Sequence, residues 1–193
     1  MYPHKRRFDT RNQKRLFVVS VEGAVTEVEY LERLGRIYYA CSIIEILRNV
    51  NNSSPFSVLD RIKNCRCSLK RGDELWCVVD KDKWTDEQLD AVAEWSQVPG
   101  GGISRNFGLS NPKIELWLLL HFVDWKPGDA IIPTLLREMP EYSKHLDETK
   151  ITVQKVMEAI ERAKALTPDG LPPRAAQGTN LWVLAEHIGR QTL

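Results

Sequence analysis

The sequence predicts an α/β fold, a parallel Rossmann-like sheet flanked by helices and followed by a C-terminal helical extension. Three observations carry that prediction. Short apolar segments alternate with amphipathic helical segments for about the first 110 residues, the pattern of a sheet built by crossover connections. The apolar segments are nearly continuous rather than alternating, as strands buried on both faces should be. Past Ser110 the strand signals give way to helical ones.

The elements follow in order. Leu16–Val21 reads as a buried strand ending at Glu22–Gly23, after which Thr26 is placed to cap a helix with Val28, Leu31, Leu34 and Ile37 on one face. Cys41–Leu47 is a second strand. Asn51–Pro55 is a turn cluster in which Ser54 caps and Pro55 opens a helix to about Cys65. The turn at Gly72–Asp73 launches a third strand, Leu75–Val79, and Thr85 caps a helix carrying Leu89, Val92, Ala93 and Trp95. Pro99–Gly102 breaks the chain before a fourth strand, Ile103–Leu109. Ile114–Phe122 reads as a buried helix, and Ile131–Met139, Ile151–Ala165 and Leu181–Ile188 as further helices. The expected organisation is a basic arm (1–15), an α/β core (16–125) and a helical extension (126–193).

Composition narrows the function classes. With 193 residues, 42% of them hydrophobic and 27% charged, the chain can bury a core, and intrinsic disorder is excluded. The longest apolar run, Leu116–Val123, is too short to span a bilayer, and the basic first fifteen residues lack the apolar stretch of a secretory signal. Cys41, Cys65, Cys67 and Cys77 match no paired metal-binding spacing, so reduced thiols of a cytoplasmic protein are expected. No phosphate-loop or dinucleotide-binding motif occurs. Charge is unevenly spread. Lys5, Arg6, Arg7, Arg11, Lys14 and Arg15 face the single acid Asp9 in the first fifteen residues, while the remainder carries 21 basic and 25 acidic groups. A basic arm on a slightly acidic body suits contact with nucleic acid, and equally describes a solvated tail.

In an open parallel sheet, ligands gather at the carboxyl ends of the strands. Glu22 directly follows the first strand; Asp80 and Asp82 follow the third, spaced i, i+2 so that both can turn toward one point. Carboxylates meeting there repel unless a proton or cation lies between them. Hard oxygen ligands with open positions suit Mg²⁺ or Mn²⁺, which activate water and offset the charge growing on a phosphodiester under attack. The competing structural reading is that Asp80 and Asp82 simply begin a surface turn.

Three blocks together resemble the RloB-like family: Glu22–Gly23–Ala24–Val25–Thr26–Glu27 with Tyr30, the triplet Asp80–Lys81–Asp82, and Ser110–Asn111–Pro112–Lys113–Ile114–Glu115 running on to His121–Phe122. The resemblance covers roughly residues 14–190, and the Ser110–Phe122 block is its most specific part. It implies a Toprim-like branch of nucleases from restriction-linked and abortive-infection loci. Under it, Glu22 looks like the glutamate that ligates a metal or moves a proton, and Asp80 and Asp82 like the metal-binding pair. Glu115 falls on a recurrent acidic position. The implied cofactor is Mg²⁺ or Mn²⁺, the substrate DNA or RNA, tRNA included, and the partner an ABC-like ATPase; assembly as a homo-oligomer is compatible with it. Glu27, Ser110, Asn111 and His121 are accessory candidates. His121 lies six residues after Glu115, about 600° round a helix, so the two need not share a face. Tyr142 and Lys144 resemble a Tyr-x-Lys feature of the family that would face phosphate, with a solvated loop as the competing reading. Ala24–Val25 replace a usual charged pair, and Ile114 an aromatic. Trp76, Trp117 and Trp182 read as core residues, and Trp84 as a candidate groove wall. The competing function is a non-catalytic nucleic-acid-binding or sensor module; primase- or topoisomerase-like activity would need further domains.

Overall fold

The apolar segments of the first half pair side by side. A computed structural model describes residues 14–49, 53–82 and 84–190. In chain order the elements are β1 (Arg15–Val21), α1 (Thr26–Ile37), β2 (Ser42–Leu47), α2 (Pro55–Lys63), β3 (Glu74–Asp80), α3 (Asp86–Gln97), β4 (Ser104–Asn111), α4 (Ile114–Leu119), α5 (Ile131–Glu138), α6 (Val153–Leu166), β5 (Gly178–Thr179) and α7 (Leu181–Gly189). The sheet order is β2-β1-β3-β4-β5; the first four strands are parallel and β5 lies antiparallel on β4. This is the expected α/β, Rossmann-like fold.

Strand residues alternate between two apolar layers. Phe17, Val19 and Val21 of β1 and Trp76 and Val78 of β3 pack with α1, α4, α6 and α7, whereas Val18, Leu75, Cys77 and Val79 pack with α2 and α3. Both faces are covered, which is why the strands read as unbroken apolar runs. Leu116–Leu120 are fully buried in the first layer, together with Val156, Leu181, Leu184 and Ile188 from beyond residue 126. Among the described residues no helix is long and apolar enough to cross a membrane.

Local rules fix most helix starts. Ser54 Oγ accepts from Ser57 N–H at 3.1 Å with Pro55 at the first helical position, and the Thr85 N–H donates to Gln88 Oε1 at 3.0 Å. Thr26 departs from its expected capping role. It is the first residue of α1, and its hydroxyl donates instead to the Lys144 carbonyl at 2.8 Å. Helix α4 ends at Leu119, short of the expected Phe122, because the chain tightens into three-residue turns: His121 N–H donates to Leu118 O and Phe122 N–H to Leu119 O. Strand β5 was not expected. Beside it, Asn180 behaves as a strand continued by a side chain, its Oδ1 accepting from Leu109 N–H at 2.7 Å and its Nδ2 donating to Phe107 O at 2.9 Å.

The strand order places the site. From β1 the chain goes outward on one side to β2 and on the other to β3, so the carboxyl ends of β1 and β3 border the switch point of the sheet. There the two neighbouring crossovers leave in opposite directions and a crevice opens.

Candidate active site

Glu22 and Asp80 stand on the two sides of that crevice. Glu22 N–H donates to Val78 O at 3.1 Å, which carries the β1–β3 ladder one residue past β1 and sets the Glu22 side chain beside Asp80. Glu22 Oε1 accepts from Trp84 Nε1–H at 2.8 Å, and Oε2 lies 3.3 Å from the Asp80 backbone N–H. Trp84 therefore lies against the site, as a wall that also orients an acid.

Two further carboxylates join them. Glu27, on the first turn of α1, is 7% exposed and curls back so that Oε1 accepts from Gly23 N–H at 2.9 Å. The Glu27 carboxylate fills the space beside Gly23: a Cβ on residue 23 would lie 2.0 Å from Glu27 Oε2, so this placement of the acid requires glycine there. Glu115, on α4, accepts from the Tyr142 hydroxyl at 3.1 Å. Burial first, and then the charges of Glu27, Glu22 and Glu115, push the Asp80 carboxyl well above the ordinary carboxylate range, opposed by a hydrogen bond from Ile114 N–H. Burial also raises Glu27, as does the charge of Glu115, against hydrogen bonds from backbone N–H groups and the Lys144 charge. Four acids drawn from three separated stretches thus share one electrostatic neighbourhood.

Asp82 is placed differently from its expected partner Asp80. It is exposed, its φ is +21°, its N–H donates to Pro112 O at 2.9 Å, and Oδ2 lies 3.6 Å from Lys113 Nζ. Lys81, between them, reaches Trp84 O at 2.9 Å and Asp86 Oδ1 at 2.8 Å. Ser110 is buried, with its hydroxyl 3.0 Å from Thr179 Oγ1. The Asn111 amide donates to the carbonyls of Pro173, Arg174 and Ala176, so it holds the 173–176 loop against β4. His121 is fully buried. Its Nδ1 lies 2.9 Å from Trp117 O and its Nε2 3.2 Å from the Tyr30 hydroxyl, the pattern of a neutral ring donating to the carbonyl and accepting from the phenol. Burial holds its pKa down to about 4.

Of the basic arm, Lys5, Arg6, Arg7 and Arg11 lie outside the described residues. Lys14 sits over the Tyr39 ring, and Arg15 is paired with the buried Glu74 at the amino end of the sheet, the pole opposite the acids. Cations nearer the acids come from elsewhere. Arg61, on α2, donates to Val21 O at 2.5 Å and is influenced by the charge of Glu22. Sequence reasoning missed it, because a basic residue in the last turn of a helix is ordinary.

The donor set is chemically that of a hard divalent cation, all carboxylate oxygen, with one acid whose charged form is strongly disfavoured as it stands. Among the described residues no three His, Cys, Asp or Glu side chains are already closed up as a ligand set; Glu22 is turned to Trp84 and Glu27 to Gly23.

The fold and this site define the class: a Rossmann-like α/β protein with a cluster of carboxylates at its switch point. A family model described as RloB-like protein matches residues 17–188, and the chain belongs to that family. No curated protein and no solved structure matches it.

Proposed function

We propose that the protein is a divalent-metal-dependent nuclease that hydrolyses phosphodiester bonds of DNA or RNA, tRNA among the candidates. The observation that carries this reading is the meeting of Asp80 with Glu22, Glu27 and Glu115 at the switch point, where burial and mutual repulsion disfavour the charged Asp80 until a proton or a cation offsets it. Glu22, Asp80 and Glu115 would hold Mg²⁺ or Mn²⁺, with Asp82 at the outer edge. Such an ion supplies an acidified water and offsets charge on the phosphoryl oxygens.

The protein's own residues do the rest. Trp84 sets one oxygen of Glu22, and Tyr142 sets Glu115. Glu27, raised by burial, is suited to take the proton from water as the water oxygen attacks phosphorus and the bond to the leaving sugar oxygen breaks, that oxygen taking a proton from solvent. Family membership supports a defence role in which an ABC-like ATPase partner keeps the nuclease silent until infection.

Purified protein incubated with plasmid, single-stranded DNA or tRNA and Mg²⁺ or Mn²⁺ tests the reading. Cleavage is expected, and Asp80→Asn is expected to abolish it while keeping the wild-type circular dichroism spectrum. No cleavage by the wild type would favour a non-catalytic binding module, and equal cleavage by both proteins would take Asp80 out of the chemistry.

A further inference from the structure

We propose that residues 61–71 form a basic track along which a nucleic-acid backbone runs away from the acids, a surface separate from the amino-terminal arm. The inference rests on the nucleic-acid reading of the site and adds a binding surface to it. Between Asp60 and Asp73 the chain holds Arg61, Lys63, Arg66, Lys70 and Arg71 and not one acid. Contacts fix the segment at three levels of the sheet. At the carboxyl end, Arg61 Nη2 donates at 2.5 Å to the carbonyl of Val21, one residue before Glu22. Midway, Cys67 Sγ donates to Glu45 Oε1 at 3.3 Å, and Glu45 is the partner of Val18 in the β1–β2 ladder. At the amino end, Asp73 accepts from Lys70 N–H at 2.7 Å and from Leu16 N–H at 2.9 Å. The segment therefore descends beside β1 from the level of Val21 to that of Leu16. That is about 17 Å at the rise of a strand residue, long enough to meet several backbone phosphates.

Burial sorts the side chains. Cys65, Cys67 and Leu69 are half-buried against the α2–α3 layer, so Arg66, Ser68 and Lys70 between and after them are exposed, as are Lys63 and Arg71. The Arg71 stem crosses Gly102, where an added Cβ would lie 2.9 Å from Arg71 Cγ. A solvated face ordinarily mixes its charges, as α6 does, where Lys155 and Arg162 reach Glu158 and Lys164 reaches Glu161. Along the track, among the described residues, none of Lys63, Arg66, Lys70 and Arg71 has an ion pair or a side-chain hydrogen bond. The neighbouring acids are turned to other groups. Asp73 is buried on the two backbone N–H groups, Glu45 faces the Cys67 thiol, and Asp60 accepts from the Asn64 amide at 2.9 Å. Uncommitted cations spread along one segment, which starts beside Glu22, match a run of phosphates rather than a single anion.

The test is oligonucleotide binding, read by fluorescence anisotropy with labelled single-stranded DNA and RNA in full-length Asp80→Asn protein, in which hydrolysis is blocked. Adding Lys63→Gln, Arg66→Gln, Lys70→Gln and Arg71→Gln together should weaken binding roughly a hundredfold at low salt, and should lower the slope of log affinity against log salt by about 2. All four side chains are exposed, so the melting temperature should hold. A control set, Arg36→Gln, Lys126→Gln, Arg137→Gln and Arg190→Gln, removes the same charge from exposed positions elsewhere and should cost far less. Equal losses in the two sets would reduce the effect to net charge and overturn the proposal. Unchanged affinity and salt slope in the track set, or no binding by the parent, would overturn it too. So would lost binding to phosphatidylserine vesicles with oligonucleotide affinity untouched, which would assign the segment to a membrane surface. The two readings separate cleanly. Track-dependent binding by a wild type that cleaves nothing leaves the track standing without the hydrolysis, whereas a track variant with Asp80 intact that cleaves with wild-type KM removes the track and keeps the hydrolysis.

Discussion

Gly23 is kept small by the carboxylate of Glu27 rather than by its own backbone, since the clash a Cβ meets is with the far end of a flexible side chain. Gly23→Ala is therefore expected to fold, with a stability change within about 1 kcal/mol, because Glu27 swings away. Activity should fall on the order of a hundredfold, because a displaced acid misplaces the reacting groups. Loss of folding instead of activity would contradict that reading. His121 works in the opposite sense, as a fold residue inside the block that looks most functional. An unfolded chain protonates its histidine near pH 6.5, whereas the buried ring resists until about pH 4. Stability is thus lost as pH falls between those values. His121→Gln should melt lower at neutral pH and show a shallower fall of Tm on going from about pH 7 to 5. An inflection near neutrality in a pH–rate profile then belongs to another group.

At the scale of elements, the opposite pole of the sheet shows how a buried charge is used for construction. Glu74, the first residue of β3, is paired with Arg15 of β1, lies 3.0 Å from His187 Nδ1 of α7 and accepts from Trp76 Nε1–H at 2.9 Å. Burial pushes its carboxyl upward, but the hydrogen bond and charge of His187, the Trp76 hydrogen bond and the Arg15 charge prevail and hold it below its ordinary 4.5. The stability it contributes is present above that pH and lost as pH falls through the lower folded value. Urea unfolding at neutral pH should show Glu74→Gln destabilised by about 3 kcal/mol, the cost of stranding Arg15 and His187, with a flatter response to acid. The four parallel strands and the helices between them were legible because periodicity and caps act locally. A two-residue strand leaves no period to detect, and the early end of α4 depends on turns closing around His121, so neither could be read from the chain.

The whole molecule decides which acids meet. Glu22 and Asp80 were legible because a strand-end position and a parallel sheet suffice to bring them to one crevice, and the family resemblance added Glu115 and Glu27. The outward setting of Asp82 was not legible, since it depends on the turn through Lys81 and the carbonyl of Pro112. Nor was the bond from the Thr26 hydroxyl to the Lys144 carbonyl, which joins residues 118 positions apart and forms only when the later segment packs against α1. The central claim is that Asp80 completes a group of carboxylates seeking a cation, and thermal unfolding with and without Mn²⁺ tests it most directly. Without metal, Asp80→Asn should melt above the wild type, because the cost of burying an ionisable carboxyl among three other acids is gone. With Mn²⁺ in about hundredfold excess over Kd, the wild type should rise by about 5 °C or more and the variant should not move. A wild type indifferent to Mn²⁺, or an equal rise in both proteins, would contradict the account.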